Sequence, residues 1–223
     1  DIHPRLADTD GDGLNDKEDK DKLIWNVSAR DMAMFINLVY ENDKKIDDII
    51  KKQAPAGTLS NNIQKMTNNE LGPYWRVKET YHQDNGLDAV LFETTNKFPF
   101  LKGDKIQVLA FAGTNVAQAG DLKADLALFF GNESNQSEAA IQLMKKIKSD
   151  STITNLYITG HSLGGYLSLR ATATAEKDKF GKFKQTYNFN APKVKSGWFW
   201  GVPKDDVRIS EELAKSGKIK NYY

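Results

Sequence analysis

The chain has 223 residues, 31 basic against 30 acidic, for a net charge of +1; it is long enough for one sizeable core and a small appendage, and it carries no global field that would argue for nucleic acid or an anionic membrane. It has no cysteine, which excludes disulfides, thiol nucleophiles and cysteine metal sites, and no apolar run of membrane-spanning length. The first residue is Asp1, with no initiator methionine or signal segment before it, the mark of a processed form or of a piece of something longer.

The first feature in chain order is acidic. Asp8, Asp10, Asp12, Asp16 and Asp19 fall at positions one, three, five, nine and twelve of a twelve-residue loop, with Gly13 at position six. Ca²⁺ takes six to eight hard oxygen ligands, and this spacing can wrap them around one ion. The expected ligands are the side chains of Asp8, Asp10, Asp12 and Asp19, the Leu14 carbonyl, and Asp16 directly or through water. Seven residues, Pro4 among them, precede Asp8, so the entering helix of an EF-hand is missing. The segment instead resembles the aspartate-rich calcium repeats of thrombospondin type 3 kind, found in bacterial surface proteins. The resemblance implies a structural Ca²⁺, a boundary between a calcium-binding segment at 1–22 and a larger domain at 23–223, and a secreted or cell-surface bacterial protein.

Ser28 with Asp31 reads as a capping box. Behind it Met32, Phe35, Ile36, Val39 and Tyr40 keep the spacing of an amphipathic helix. Further helices are expected over 44–52 and 61–66. The stretches 74–82 and 87–94 read as a hairpin joined near Asn85-Gly86. Residues 104–112 form a strand whose apolar run suits a position covered on both faces. Leu122, Leu126, Phe129 and Phe130 keep helical spacing within 115–131, the pattern of an ordinary core helix. A helix is expected over 137–149, then strand 156–159, a helix over 165–175, a strand over 186–189, a helix near 210–215 and a strand opening at 219. Trp198-Phe199-Trp200 is an apolar cluster on a loop, suited either to transient contact with a lipid surface or to the core. Strands alternating with helices give an α/β fold: a mostly parallel central sheet, an antiparallel hairpin near one edge, helices on both faces.

The most informative stretch is Gly160-His161-Ser162-Leu163-Gly164. A Gly-x-Ser-x-Gly pentapeptide between a strand and a helix bends the chain sharply at the serine, and the glycines prevent collision with the neighbouring strand and helix. The serine is then lifted clear of the sheet at the positive end of a helix, where developing negative charge is stabilised.

Three segments in order, Leu109-Ala110-Phe111-Ala112-Gly113-Thr114, Ile158 through Gly165, and Asn188-Phe189-Asn190-Ala191-Pro192, resemble the fungal-type (class 3) lipases of the α/β-hydrolase fold. The resemblance spans about residues 27–223 and implies carboxylic ester hydrolysis, of the triacylglycerol lipase or phospholipase kind, on lipid or other ester substrates. It implies Ser162 as nucleophile of an acyl-enzyme mechanism, with the backbone N–H of Leu163 and Thr114 as the oxyanion hole. The family's usual arginine before Gly-Thr is replaced here by Ala112, and the resemblance implies that 115–131 is the lid or entrance of the site, the alternative to a core helix.

A serine triad also needs a base and an acid, in chain order Ser, acid, His on this fold. The three histidines are His3, His82 and His161, and none follows Ser162. The expectation is therefore a hydrolase domain incomplete at its C-terminus, its acid and histidine in a missing downstream segment and the piece alone inactive. The alternative is a catalytically inert, calcium-dependent binding or adhesion module.

Overall fold

The computed structural model describes residues 15–18, 27–41, 74–96, 104–113, 122–192 and 202–223, with backbone alone for 122–134. They form one six-stranded sheet whose spatial order is the chain order. Strands β1 (Trp75–His82) and β2 (Asp88–Thr94) make the antiparallel hairpin, from Trp75↔Thr94 to His82↔Asp88. Its turn uses Gly86 at φ 85°, and Asn85 Oδ1 accepts the Leu87 N–H at 3.0 Å, as expected of an Asn-Gly corner. Strand β3 (Ile106–Phe111) pairs antiparallel with β2; β4 (Asn155–His161), β5 (Phe183–Phe189) and β6 (Ile219–Tyr222) follow in parallel.

Helix α1 (Ala29–Val39) precedes the sheet; α2 (Leu122–Ser149), α3 (Leu163–Lys177) and α4 (Lys204–Lys215) are the crossovers between successive parallel strands. Parallel strands laid down one after another in one direction, each through a crossover of the usual right hand, put their connecting helices on one face. The core has that form. Ala140, Leu143, Met144 and Ile147 of α2 and Leu163, Tyr166 and Leu167 of α3 pack with Leu91, Leu109, Phe111, Leu156 and Ile158. Leu169 and Ala173 of α3 meet Ile209 and Leu213 of α4 and Ile219 of β6. The opposite face belongs to α1, whose Met32, Met34, Phe35, Leu38 and Val39 pack on Trp75, Val90, Phe92, Val108 and Ala110. Strands covered on both faces need continuous apolar runs, and all six residues of β3 are buried.

The expected α/β architecture is thus the observed one. One boundary differs materially. The helix expected over 137–149 starts at Leu122 and runs unbroken through Gly131. The polar run from Gly131 to Gln136 reads as a break, yet each such residue costs a helix at most about 1 kcal/mol, and the packed stripe that follows carries the helix through. Of the segment 115–131, the part from Leu122 is therefore helical. The helix placed near 210–215 likewise begins at Lys204. The helices expected over 44–52 and 61–66 and the Trp198-Phe199-Trp200 cluster lie outside the described residues.

Candidate active site

Strand β4 runs straight into α3 through a single corner residue, Ser162, at φ 52° and ψ −122°. L-residues rarely adopt positive φ, and such a conformation costs of order 1–3 kcal/mol unless its surroundings impose it. Here they do. The Ser162 N–H donates to Phe189 O at 3.0 Å across β5, and Ser162 O accepts the N–H groups of Gly165 at 3.0 Å and Tyr166 at 3.3 Å. The corner is fixed by backbone on both sides, and the side chain makes no capping bond to its helix. Ser162 is half-buried, with its hydroxyl at the N-terminus of α3, where the leading N–H groups have no carbonyl within the helix to bind.

The glycines are explained by what a methyl group would meet. At Gly160 it would run into the backbone of Gly164 and Gly165; at Gly164, into Phe111 O and the Ala112 backbone. At Gly165 it would stand 2.6 Å from Ala191 Cβ. So α3 lies against the ends of β3 and β5 at a distance only glycine permits. Below the corner α3 is tied to the sheet by buried polar contacts. Ser168 Oγ lies within hydrogen-bond distance of both Asn188 Oδ1 and Gly165 O, with one proton to give, and the Thr172 and Thr186 hydroxyls are 2.6 Å apart. At the end of β5, Asn190 adopts φ 46° and its N–H donates to Tyr222 O at 2.7 Å.

Strand β3 ends beside the corner at Ala112-Gly113. Ala112 is buried in the cluster under α1, and the Gly113 N–H donates to Tyr40 Oη at 2.9 Å. Nothing in the local sequence announces this contact, because 73 residues separate the partners; Tyr40 reads as the last member of an apolar stripe, on a helix that also agrees with the lipase resemblance. Thr114, the second expected oxyanion donor, lies outside the described residues. Leu163, the first, opens α3 directly after Ser162.

The histidines stand apart from the hydroxyl. His161 precedes the corner, and strand alternation puts it on the α1 face with Tyr157; burial lowers its pKa below the ordinary value, so its neutral form is favoured. His82 closes β1, with Nδ1 2.8 Å from Asp88 Oδ1, both side chains about half exposed. Asp88 O accepts the Ala112 N–H, so this pair sits at the same end of the sheet as Ser162. Three strand spacings separate β1 from β4, about 14 Å, well beyond a hydrogen bond. His3 lies outside the described residues, as do five of the six expected calcium ligands, Asp8, Asp10, Asp12, Leu14 and Asp19. Asp16 is half-buried in a tight turn, where Asn15 O accepts the Glu18 N–H at 2.7 Å. Among the described residues no group of three or more His, Asp or Glu side chains is placed to hold a metal ion.

A family profile, the Tle-like phospholipase domain, matches residues 31–192, from the capping box of α1 to the proline after β5. The chain belongs to this phospholipase-like family. No curated protein and no solved structure matches the chain significantly, and no comparison supports the class 3 lipase or thrombospondin type 3 resemblances. The Tle-like span contains every segment of the corner: the end of β3, the β4–α3 turn and the end of β5. Membership places the chain among phospholipase-like proteins, whose substrates are lipid esters.

Proposed function

We propose that this Tle-like domain is a serine hydrolase of phospholipid esters acting through an acyl-enzyme on Ser162. The observation that carries the reading is the positive-φ serine between β4 and α3 in a chain of phospholipase-like family. In this reading Ser162 Oγ attacks the ester carbonyl, the alcohol leaves, and water cleaves the acyl-serine. The Leu163 N–H, at the positive end of α3, donates to the oxygen that gains charge, and Thr114 is proposed as a second donor. One such donor contributes about 3 kcal/mol to transition-state stabilisation. A class 3-like active site remains part of the proposal, supported by the three motif segments and their order. The acidic loop at 8–19 is proposed separately as a structural Ca²⁺ site, and a secreted or surface location goes with it; the support for both is the ligand spacing.

A specific observation favours a second reading, an inert lipid-binding or adhesion module: neither described histidine is within reach of Ser162. The two readings separate on turnover. The full-length gene product is expected to hydrolyse short-chain phosphatidylcholine and p-nitrophenyl butyrate. Ser162→Ala should abolish that activity, a loss of at least about 10³-fold. Full activity of Ser162→Ala would sink the nucleophile, and absence of turnover in the full-length product would leave the inert module standing. Normal turnover by residues 1–223 would point to His82 as the base after rearrangement of the hairpin.

A further inference from the structure

The end of β3 meets the elbow at one crowded point. A methyl group on Gly113 would lie 2.9 Å from the His161 carbonyl oxygen, 3.0 Å from Tyr40 Oη and 3.2 Å from the Gly164 nitrogen. The carbonyl of the residue before Ser162, the amide two residues beyond it and a phenol hydroxyl from the end of α1 thus converge around a single glycine. Tyr40 Oη already accepts the Gly113 N–H at 2.9 Å. A phenol that accepts one hydrogen bond keeps its own proton to give, and no described residue takes it. Burial raises the Tyr40 pKa above its ordinary value, against a smaller opposing effect of the Gly113 N–H, so the hydroxyl stays a neutral donor. The side chain is not sealed off either: it is 39 % exposed, one of few large apolar side chains so placed among the described residues.

Resting on the reading of Ser162 as nucleophile, we propose that Tyr40 is a further catalytic residue, whose O–H donates to the acyl oxygen of the ester bound at Ser162. The Leu163 N–H then has a side-chain counterpart in addition to any backbone donor. As the bond from Ser162 Oγ to the carbonyl carbon forms, the carbonyl π pair moves onto oxygen. The Tyr40 hydrogen bond strengthens with that charge, and the proton remains on the phenol. When the pair returns to re-form the carbonyl, the alcohol leaves with the proton that the base took from Ser162. The bond from Gly113 contributes direction. It occupies a lone pair of the phenol oxygen and leaves the O–H to point elsewhere, while the close packing that demands glycine at 113 keeps that anchor in place.

The test is Tyr40→Phe in the full-length gene product, with p-nitrophenyl butyrate and short-chain phosphatidylcholine as substrates and Ser162→Ala beside it. The ring and its packing are retained, so kcat should fall by about 10²-fold with KM little changed. A purely structural role would lower the thermal unfolding midpoint and leave kcat of the folded protein intact. Wild-type kcat in Tyr40→Phe, with turnover lost in Ser162→Ala, overturns the inference while leaving the nucleophile standing. Turnover that survives Ser162→Ala, or none in the full-length product, overturns both. Should Tyr40→Phe fail to fold, a fluorinated tyrosine of lower pKa at position 40 decides. It should add an alkaline limb to the kcat profile as the donor ionises, and an unchanged profile overturns the proposal.

Discussion

At the scale of single residues, Ser162 was legible because its requirements are local and mutually consistent. A strand, three small residues at fixed offsets and a helix all constrain the same corner, and Gly160, Gly164 and Gly165 each face backbone or Cβ atoms that exclude a side chain. Gly164→Ala tests this. Its methyl would press into Phe111 O and the Ala112 backbone, atoms that belong to a buried central strand and cannot swing away. Overpacking of this kind costs about 1–3 kcal/mol, so the thermal unfolding midpoint should drop by several degrees, with a further loss of turnover as the elbow shifts. An unchanged midpoint would mean that α3 can slide off β3. The Tyr40–Gly113 bond was illegible for the opposite reason. A hydroxyl at the end of an amphipathic stripe carries no sign of its partner until the sheet order places β3 beside it.

Among the elements, α1 shows how far a capping signature can be trusted. The Ser28 hydroxyl accepts the Asp31 N–H at 3.2 Å, and Asp31 Oδ2 accepts the Ser28 N–H at 2.8 Å, the reciprocal arrangement expected from the two residue types at this spacing. The first turn of α1 also buries Met32 completely, so cap and core support each other. Ser28→Ala should therefore cost about 1 kcal/mol, read as a lower denaturant midpoint with an unchanged slope; no shift would show α1 to be held by its apolar face alone. The start of α2 was not legible. Gly131 and the polar residues after it oppose a helix locally, and what overrides them is packing of Ala139, Ala140, Leu143 and Met144, which becomes visible only once α2 lies on the sheet. The hairpin was read almost to the residue, because Asn85-Gly86 specifies a corner that few other conformations satisfy.

Over the whole molecule, the end of the sheet opposite the elbow carries an ionic cluster. Glu93 is 1 % exposed and takes hydrogen bonds from Arg76 at 2.6 Å, Lys105 at 3.1 Å and Gln107 at 3.2 Å, with the Lys78 ammonium 3.7 Å away. Burial alone would raise its pKa. The bonds from Arg76, Gln107 and Lys105 and the charge of Lys78 outweigh it, and the net shift is downward. A carboxylate depressed in the folded state leaves the unfolded chain to bind the proton first. Its contribution is complete above the ordinary glutamate value of about 4.3 and is lost as pH falls through the lower folded value. Glu93→Gln should lower stability at neutral pH by about 2 kcal/mol and flatten the acid limb of a urea-midpoint profile; an identical acid limb in wild type and variant would remove Glu93 from the account. The full cluster was not legible in the sequence: Arg76 and Glu93 face each other across the hairpin, but Lys105 and Gln107 come from the next strand or the residue adjoining it, and sequence spacing says nothing of that pairing.

The identity of spatial and chain order in the sheet has a consequence for assembly. A new strand always docks onto the one just finished, so loop closure is short at every step and the sheet can grow in the direction of synthesis. The serine corner is not sealed when β4 and α3 have formed. Its amide waits for Phe189 O, and Gly165 waits for Ala191 beneath it. A nascent chain therefore holds Ser162 in an unfixed turn until the fifth strand arrives, and the strained corner locks only when that strand docks.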